Sequence, residues 1–255
     1  MIKRNILITG SASGIGYGIA EHLAAQGHHV VLADINLEAA TTASEKLTAQ
    51  GLRATPIALD VSDAEQVRKT AEQLSSTPID ILINNAGIQH VSKLELFPAS
   101  KWQQLINVML VGPALLTQAF LPGMRERNFG RIINVGSIHS VIASPYKSAY
   151  VAAKHGLLGF AKTVALETGD CDVTINTLCP AYVKTPLVEQ QIKAQAKENG
   201  ISEDDVINKI MLEPMPKKAF ISIDELAATA SFLISDNARN ITGQTMILDG
   251  GWTAR

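Results

Sequence analysis

Short, uninterrupted apolar runs recur along this chain, and most are followed by a stretch with helical spacing. The runs fall at residues 5–9, 29–33, 54–59, 79–83, 131–135, 173–178 and 245–248. Helical stretches are expected at 16–25, 38–49, 64–74, 100–121 and 149–166. A strand with one wet face alternates apolar and polar residues. Continuous Val, Ile and Leu instead mean that both faces are covered, which is the state of a parallel sheet between two layers of helices. Strands alternating with helices then predict an α/β fold, a Rossmann-type doubly wound parallel sheet of about seven strands. Pro56 lies inside the third run and cannot donate to a ladder, so that strand is expected at an edge. A chain of 255 residues permits one large domain or two small ones. No linker, repeat or low-complexity segment divides it, so a single domain over 1–255 is expected. The segment 185–216 breaks the rhythm. It is polar and charged, reads as two helical pieces without a strand, and follows directly on the sixth strand. It is expected to be a helical lid over a site at the strand ends.

Composition narrows the function classes. Hydrophobic residues make up 46% of the chain and charged residues 18%, which excludes a disordered chain. Lys plus Arg number 22 against 24 Asp plus Glu, a net charge of −2, and the charges are scattered. There is no electrostatic footprint for a nucleic-acid partner. No stretch approaches the roughly 18 apolar residues of a membrane span. After Lys3 and Arg4 come only Ile6, Leu7 and Ile8, too short for a signal-peptide core. No membrane association and a cytoplasmic location are the expectations. Cys171 and Cys179 make no disulfide framework and no zinc pair, and are expected to be reduced thiols. The six histidines include no H-E-x-x-H, so no metal is expected.

The stretch Thr9-Gly10-Ser11-Ala12-Ser13-Gly14-Ile15-Gly16 joins the first strand to the first helix. Glycines there let the backbone turn tightly and approach a pyrophosphate, which sits on the helix N-terminus. A tight turn alone could explain the glycines. Their place between strand one and a helix, with Asp34 ending strand two, favours a dinucleotide site. The Asp34 carboxylate can accept from both ribose hydroxyls and would repel a 2′-phosphate, while neighbouring Ser11 and Ile35 offer no basic clamp. NAD is therefore expected as the cofactor rather than NADP. Asp34 could also cap the helix that follows. Asp60, which ends strand three, could contact adenine or cap the next helix.

Tyr150 and Lys154 stand four apart on one predicted helix and share a face, with Ser137 at the end of the fifth strand. A tyrosine near its ordinary pKa of about 10 is a poor base at pH 7. A nearby ammonium would lower that value and make the phenol a usable acid/base.

With these residues the chain resembles the short-chain dehydrogenase/reductase family. The resemblance rests on Thr9-Gly10 with Gly14-Ile15-Gly16, on Asn84-Asn85-Ala86-Gly87, Asn107, Ser137, Tyr150-x-x-x-Lys154, and Pro180 after strand six. It spans the whole chain. It implies that Tyr150 exchanges the proton, that Lys154 holds the nicotinamide ribose and lowers the Tyr150 pKa, and that Ser137 bonds the reacting oxygen. Asn107 would support a water linking Lys154 to solvent. Ser13, Asn85, Ala86 and Gly87 would pack along the cofactor, Asp60 and Val61 would contact adenine, and Pro180, Val183 and Thr185 would face the nicotinamide. The family usually has glycine where Ala181 stands, and alanine would be strained if that position needs a positive φ.

Further stretches resemble the branch of this family that oxidises D-3-hydroxybutyrate: residues 85–91, 137–140, 147–156 and 185–188, with Gln190-Gln191 and the tail from Asp249 to Ala254. That branch holds the substrate carboxylate with a glutamine, a histidine, a lysine and a lid glutamine, which match Gln89, His139, Lys147 and Gln191. Gln190 could take the last role. Hydrogen bonds to a charged group are worth about 1.5–3 kcal/mol each, enough for three or four to hold a small acid with little apolar area. The branch usually has tryptophan where Tyr182 stands, which would alter the wall near the substrate's methyl end. Trp252 is either a tail anchor or a pocket wall. The expected activity is reversible hydride transfer between NAD and a small 3-hydroxy or 3-oxo acid. The alternatives are an NADPH-dependent 3-oxoacyl thioester reductase, another short-chain alcohol dehydrogenase, or a nucleotide-sensing protein without turnover. The resemblance also implies a homotetramer.

Overall fold

The computed structural model describes residues 2–254. Among the described residues seven strands are present: β1 (Asn5–Thr9), β2 (His29–Asp34), β3 (Arg53–Ala58), β4 (Ile81–Asn84), β5 (Gly130–Val135), β6 (Val173–Pro180) and β7 (Thr245–Leu248). Between them run α1 (Gly14–Ala25), α2 (Leu37–Ala49), α3 (Ala64–Gln73), α4 (Ala99–Ile106), α5 (Gly112–Glu126), α6 (Ser148–Glu167), α7 (Pro186–Asn199), α8 (Glu203–Val206) and α9 (Ile223–Ile234). The strands form one sheet in the order β3-β2-β1-β4-β5-β6-β7, every described pair parallel. Pro56 is on the edge strand, as its missing N–H requires.

Alternate residues of each run bury on opposite faces. Ile6, Ile8, Val30 and Leu32 join Ile19 and Leu23 of α1 and Leu226 and Leu233 of α9. Leu7, Val31 and Leu82 face the other way, against Leu116 and Phe120 of α5 and Val164 of α6. Fully burying each such side chain contributes about 1.5–3 kcal/mol. The sheet order reverses between β1 and β4, which opens a crevice at the carboxyl ends of these strands. The ends of β1, β2, β4, β5 and β6 deliver Thr9, Asp34, Asn84, Val135 and Pro180 to that edge.

Three features differ from the sequence reading. First, α9 was not anticipated between strands six and seven. Its signal is Ser222-x-x-Glu225, a capping box in which Ser222 Oγ accepts from the Glu225 N–H and the Glu225 carboxylate accepts from the Ser222 N–H. Second, the long helix is continuous from Ala99 to Glu126, because a π turn at Asn107–Val111 joins α4 to α5. An 18-residue window of it reaches a mean hydropathy of 1.6, so by length and composition it is apolar enough to cross a membrane. Runs read one at a time miss this. In the fold, its buried residues Leu116, Phe120 and Met124 belong to the core beneath the sheet. Third, Ala181 has no positive φ, and its N–H donates to the Leu248 carbonyl at 2.8 Å, so alanine is unstrained there.

Candidate active site

The turn after β1 is built around contacts too close for side chains. A Cβ on Gly10 would lie 2.8 Å from Ala86 Cα, and one on Gly16 would lie 2.6 Å from the Gly10 carbonyl oxygen. Asn85 ties the turn to β4. Its side-chain amide donates to the carbonyls of Thr9 and Gly10 at 2.9 and 2.8 Å. In return Thr9 Oγ1 accepts from the N–H groups of Asn85 and Ala86, both at 3.0 Å.

A groove of about 460 Å³ runs along this edge. Gly10, Ser13, Gly14 and Ile15 line it from the turn, and Asp34, Asp60 and Val61 from the ends of β2 and β3. Asn85, Ala86 and Gly87 follow β4, and Tyr150, Lys154 and Thr185 close the far end. Gly16 stands behind the lining. The Asp34 carboxylate accepts from the N–H groups of Ala12 (3.2 Å) and Asn36 (3.1 Å), which fixes it on the groove wall. Asn36, rather than Asp34, caps α2. Asp60 accepts from the Ser62 N–H and hydroxyl, while Asp63 caps α3. Capping is therefore the role of neither aspartate that the sequence put forward for it. The glycine cradle at a helix N-terminus and the acidic wall fit a dinucleotide.

A smaller cavity of about 140 Å³ adjoins the groove, sharing Ile15, Gly136, Tyr150 and Thr185 with it. Gln89, Ser137, His139, Lys147, Pro180, Val183 and Gln191 line it. Pro180 and Val183 thus face this cavity rather than the groove. Of the two adjacent glutamines on α7, Gln191 lines the cavity and Gln190 is exposed. The segment that carries α7 and α8 packs on a small core of its own, Ile192, Val206 and Met211. Asn107 and Trp252 line neither space. Asn107 opens the π turn and accepts from Gln103 Nε2 at 2.8 Å. Trp252 lies behind the cavity, stacked on Tyr182 with ring centroids 6.1 Å apart and planes at 22°.

Ser137 follows β5 in extended backbone and opens a single helical turn. Its hydroxyl accepts from the His139 N–H at 3.1 Å, and its own N–H donates to Ser140 Oγ at 3.2 Å. The spacing of these two serines was a legible capping signal that the sequence reading passed over. His139 is buried, with Nε2 2.7 Å from Ser144 Oγ and Nδ1 3.4 Å from Ser137 Oγ. Burial, then the neighbouring charges of Lys147 and His155, lower its pKa to about 4, so the ring is neutral at pH 7. Burial also lowers Lys147, which has no ion-pair partner among the described residues.

Tyr150 and Lys154 share one face of α6; Lys154 is buried and lines the groove, and Tyr150 is half-buried and lines both groove and cavity. Burial raises the Tyr150 pKa, and the facing Ser137 hydroxyl offsets this in part. The expectation that Lys154 would lower it is corrected here. The Lys154 ammonium donates to the Val135 carbonyl at 2.7 Å and stands 5.7 Å from the Tyr150 ring centroid. Burial brings Lys154 down to about 8 instead. A phenol and a hydroxyl line the small cavity, and the amine of Lys154 lines the groove beside it.

Residues 4–196 match the short chain dehydrogenase family model. The chain is 42% identical to a D-beta-hydroxybutyrate dehydrogenase of Rhizobium meliloti (strain 1021), covering 100% of both chains. It is 43% identical to the enzyme of the same name from Cupriavidus necator, over 99% of this chain and 98% of that one. Among solved structures, L-sorbose reductase from Gluconobacter frateurii, complexed with NADPH and L-sorbose, superposes with a TM-score of 0.93 at 32% identity, covering 99% of this chain and 97% of that one.

Proposed function

Because the chain belongs to the short chain dehydrogenase family, we propose that it oxidises D-3-hydroxybutyrate to acetoacetate, reversibly and with NAD. One observation carries the substrate class: Lys147 brings a partly buried cation, without an ion-pair partner among the described residues, to the cavity that also holds Ser137 and Tyr150. An unpaired cation there favours an anionic substrate. Gln89 and Gln191 add amide donors, and neutral His139 adds a ring already held by Ser144. Two relatives at 42% and 43% identity carry the name of this activity, which supports the reading.

A nicotinamide dinucleotide in the groove supplies the hydride acceptor and a positive charge. Gly10, Gly14 and the α1 N-terminus would hold its pyrophosphate, and Asp34 its ribose hydroxyls. In oxidation, Tyr150 first loses its phenol proton towards solvent by way of Lys154, and the resulting phenolate takes the proton of the substrate hydroxyl held by Ser137 while the C3–H bond gives up its electron pair. Lys154, at about 8, can pass the phenol proton on. In the reductive direction Tyr150 starts as the neutral phenol that burial favours and acts as the acid. The segment carrying α7 covers the cavity as a lid and brings Gln191 to it.

The competing reading is an NADPH-dependent reductase of 3-oxoacyl thioesters. It leaves Lys147 without an anion, and the fixed Asp34 carboxylate opposes a 2′-phosphate. The experiment is NADH formation from each enantiomer of 3-hydroxybutyrate, with NADP and the methyl ester as controls. Activity with NAD and the free D-acid alone is expected. Equal turnover of the ester would keep a dehydrogenase and remove the carboxylate clamp.

A further inference from the structure

Tyr182 brings a second phenol to the cavity that holds Tyr150. Its position is fixed from two sides. The Ile221 N–H donates to its carbonyl at 2.9 Å, and its ring stacks on Trp252. Its neighbours on the cavity wall are Pro180, Ala181, Val183 and Val188, which offer no side-chain hydrogen-bonding group. The Tyr182 hydroxyl makes no hydrogen bond within the described residues, and burial alone accounts for its raised pKa. Both phenols are therefore neutral at pH 7, and that of Tyr182 is free to donate and to accept.

We propose that Tyr182 is a specificity-determining residue: its hydroxyl binds a second hydroxyl on the substrate, on the carbon beyond the reacting one, so that the favoured substrates are short 3-hydroxy acids that also carry a 4-hydroxyl. The assignment rests on the acid-binding reading above and deepens it. With the carboxylate at Lys147 and the reacting oxygen between Ser137 and Tyr150, the rest of a short acid is carbon 4. A methyl group there meets a phenol among apolar neighbours and offers it no hydrogen-bond partner. A hydroxyl gives the phenol its partner. The small cavity limits the added group to one of about this size. The chemistry is otherwise unchanged: C3 loses its hydride to the nicotinamide, and its hydroxyl proton goes to Tyr150.

The test compares kcat/KM for D-3-hydroxybutyrate and for 3,4-dihydroxybutyrate of the same spatial arrangement at C3, in the wild-type protein and in Tyr182→Phe. NAD affinity is measured on each protein as a check of folding. The wild type is expected to prefer the dihydroxy acid, and Tyr182→Phe to lower the ratio of the two values about tenfold or more. A ratio that stays within about twofold overturns the assignment. Should the Phe variant fail to bind NAD, Tyr182→Leu carries the same expectation, since its side chain has no hydrogen-bonding group. Oxidation of 3-hydroxybutyrate with an unmoved ratio removes only the role of Tyr182. Oxidation of neither acid by a wild type that binds NAD removes the acid-binding reading and this assignment with it.

Discussion

A lysine that loses water without gaining a partner is costly, and among the described residues Lys147 is in that position. Its retention next to Ser137 and Tyr150 makes sense if a substrate anion completes it. Lys147→Met is expected to lower kcat/KM for D-3-hydroxybutyrate about ten- to a hundredfold, the value of one hydrogen bond to a charged group. Any residual activity on the methyl ester should change far less, and steady-state kinetics on the two substrates reads the difference. At this scale the sequence is informative where chemistry and spacing coincide. Tyr150 and Lys154 are four apart, which on any helix means one face. It was silent where the outcome depends on helical phase. Gln190 and Gln191 are the same residue type, and only the start of α7, set by Thr185 capping with Pro186 behind it, turns the second one inward. The direction of the Tyr150 shift was also hidden, because it depends on burial and on the neighbours Ser137, Cys179 and Tyr182 that the fold assembles around it.

Among the elements, the strands were the most legible, since an apolar run bounded by polar residues fixes both type and place. Helix α9 shows the opposite case. Its apolar residues sit at helical spacing behind a capping box, but no strand precedes it closely to set up a strand-then-helix unit. It nonetheless covers one face of the sheet with Leu226, Ala227, Ala230 and Leu233. The capping box is exposed to solvent and makes no contact with the groove or the cavity. Glu225→Ala is therefore expected to cost about 1 kcal/mol of stability without altering substrate preference. A urea titration followed by circular dichroism measures the first, and the kinetic ratio of two substrates the second. Trp252 makes a similar point at the chain's end. Its place behind Tyr182 depends on the tail folding back over β6, which local patterning does not encode.

For the molecule as a whole, acid sensitivity follows from buried imidazoles. His139 lies at about 4 in the folded chain against an ordinary 6.5, chiefly through burial. Between those values the unfolded chain takes up a proton that the folded chain refuses. The stabilisation is complete above pH 6.5 and falls away as the pH drops towards 4. Burial lowers His28 and His29 as well, so they act in the same direction. Replacing His139 by Gln is expected to reduce the difference in unfolding free energy between pH 7.5 and pH 4.5 by about 2–3 kcal/mol. Urea unfolding at the two values checks this, and an undiminished pH dependence would assign the acid limb to other groups.

The isolated bridge between Val183 and Ile221 bears on how the cavity keeps its shape. It pins together the two ends of the stretch that carries α7 and α8, and the stretch has its own small core. Leu212 and Met215 of the same stretch join the main core, so these side chains and the bridge anchor its base to the sheet. The bond from the Ile221 N–H to the Tyr182 carbonyl is part of that base. Tyr150 on α6 and Tyr182 at that base therefore keep a fixed register across the cavity, to which α7 adds Val188 and Gln191.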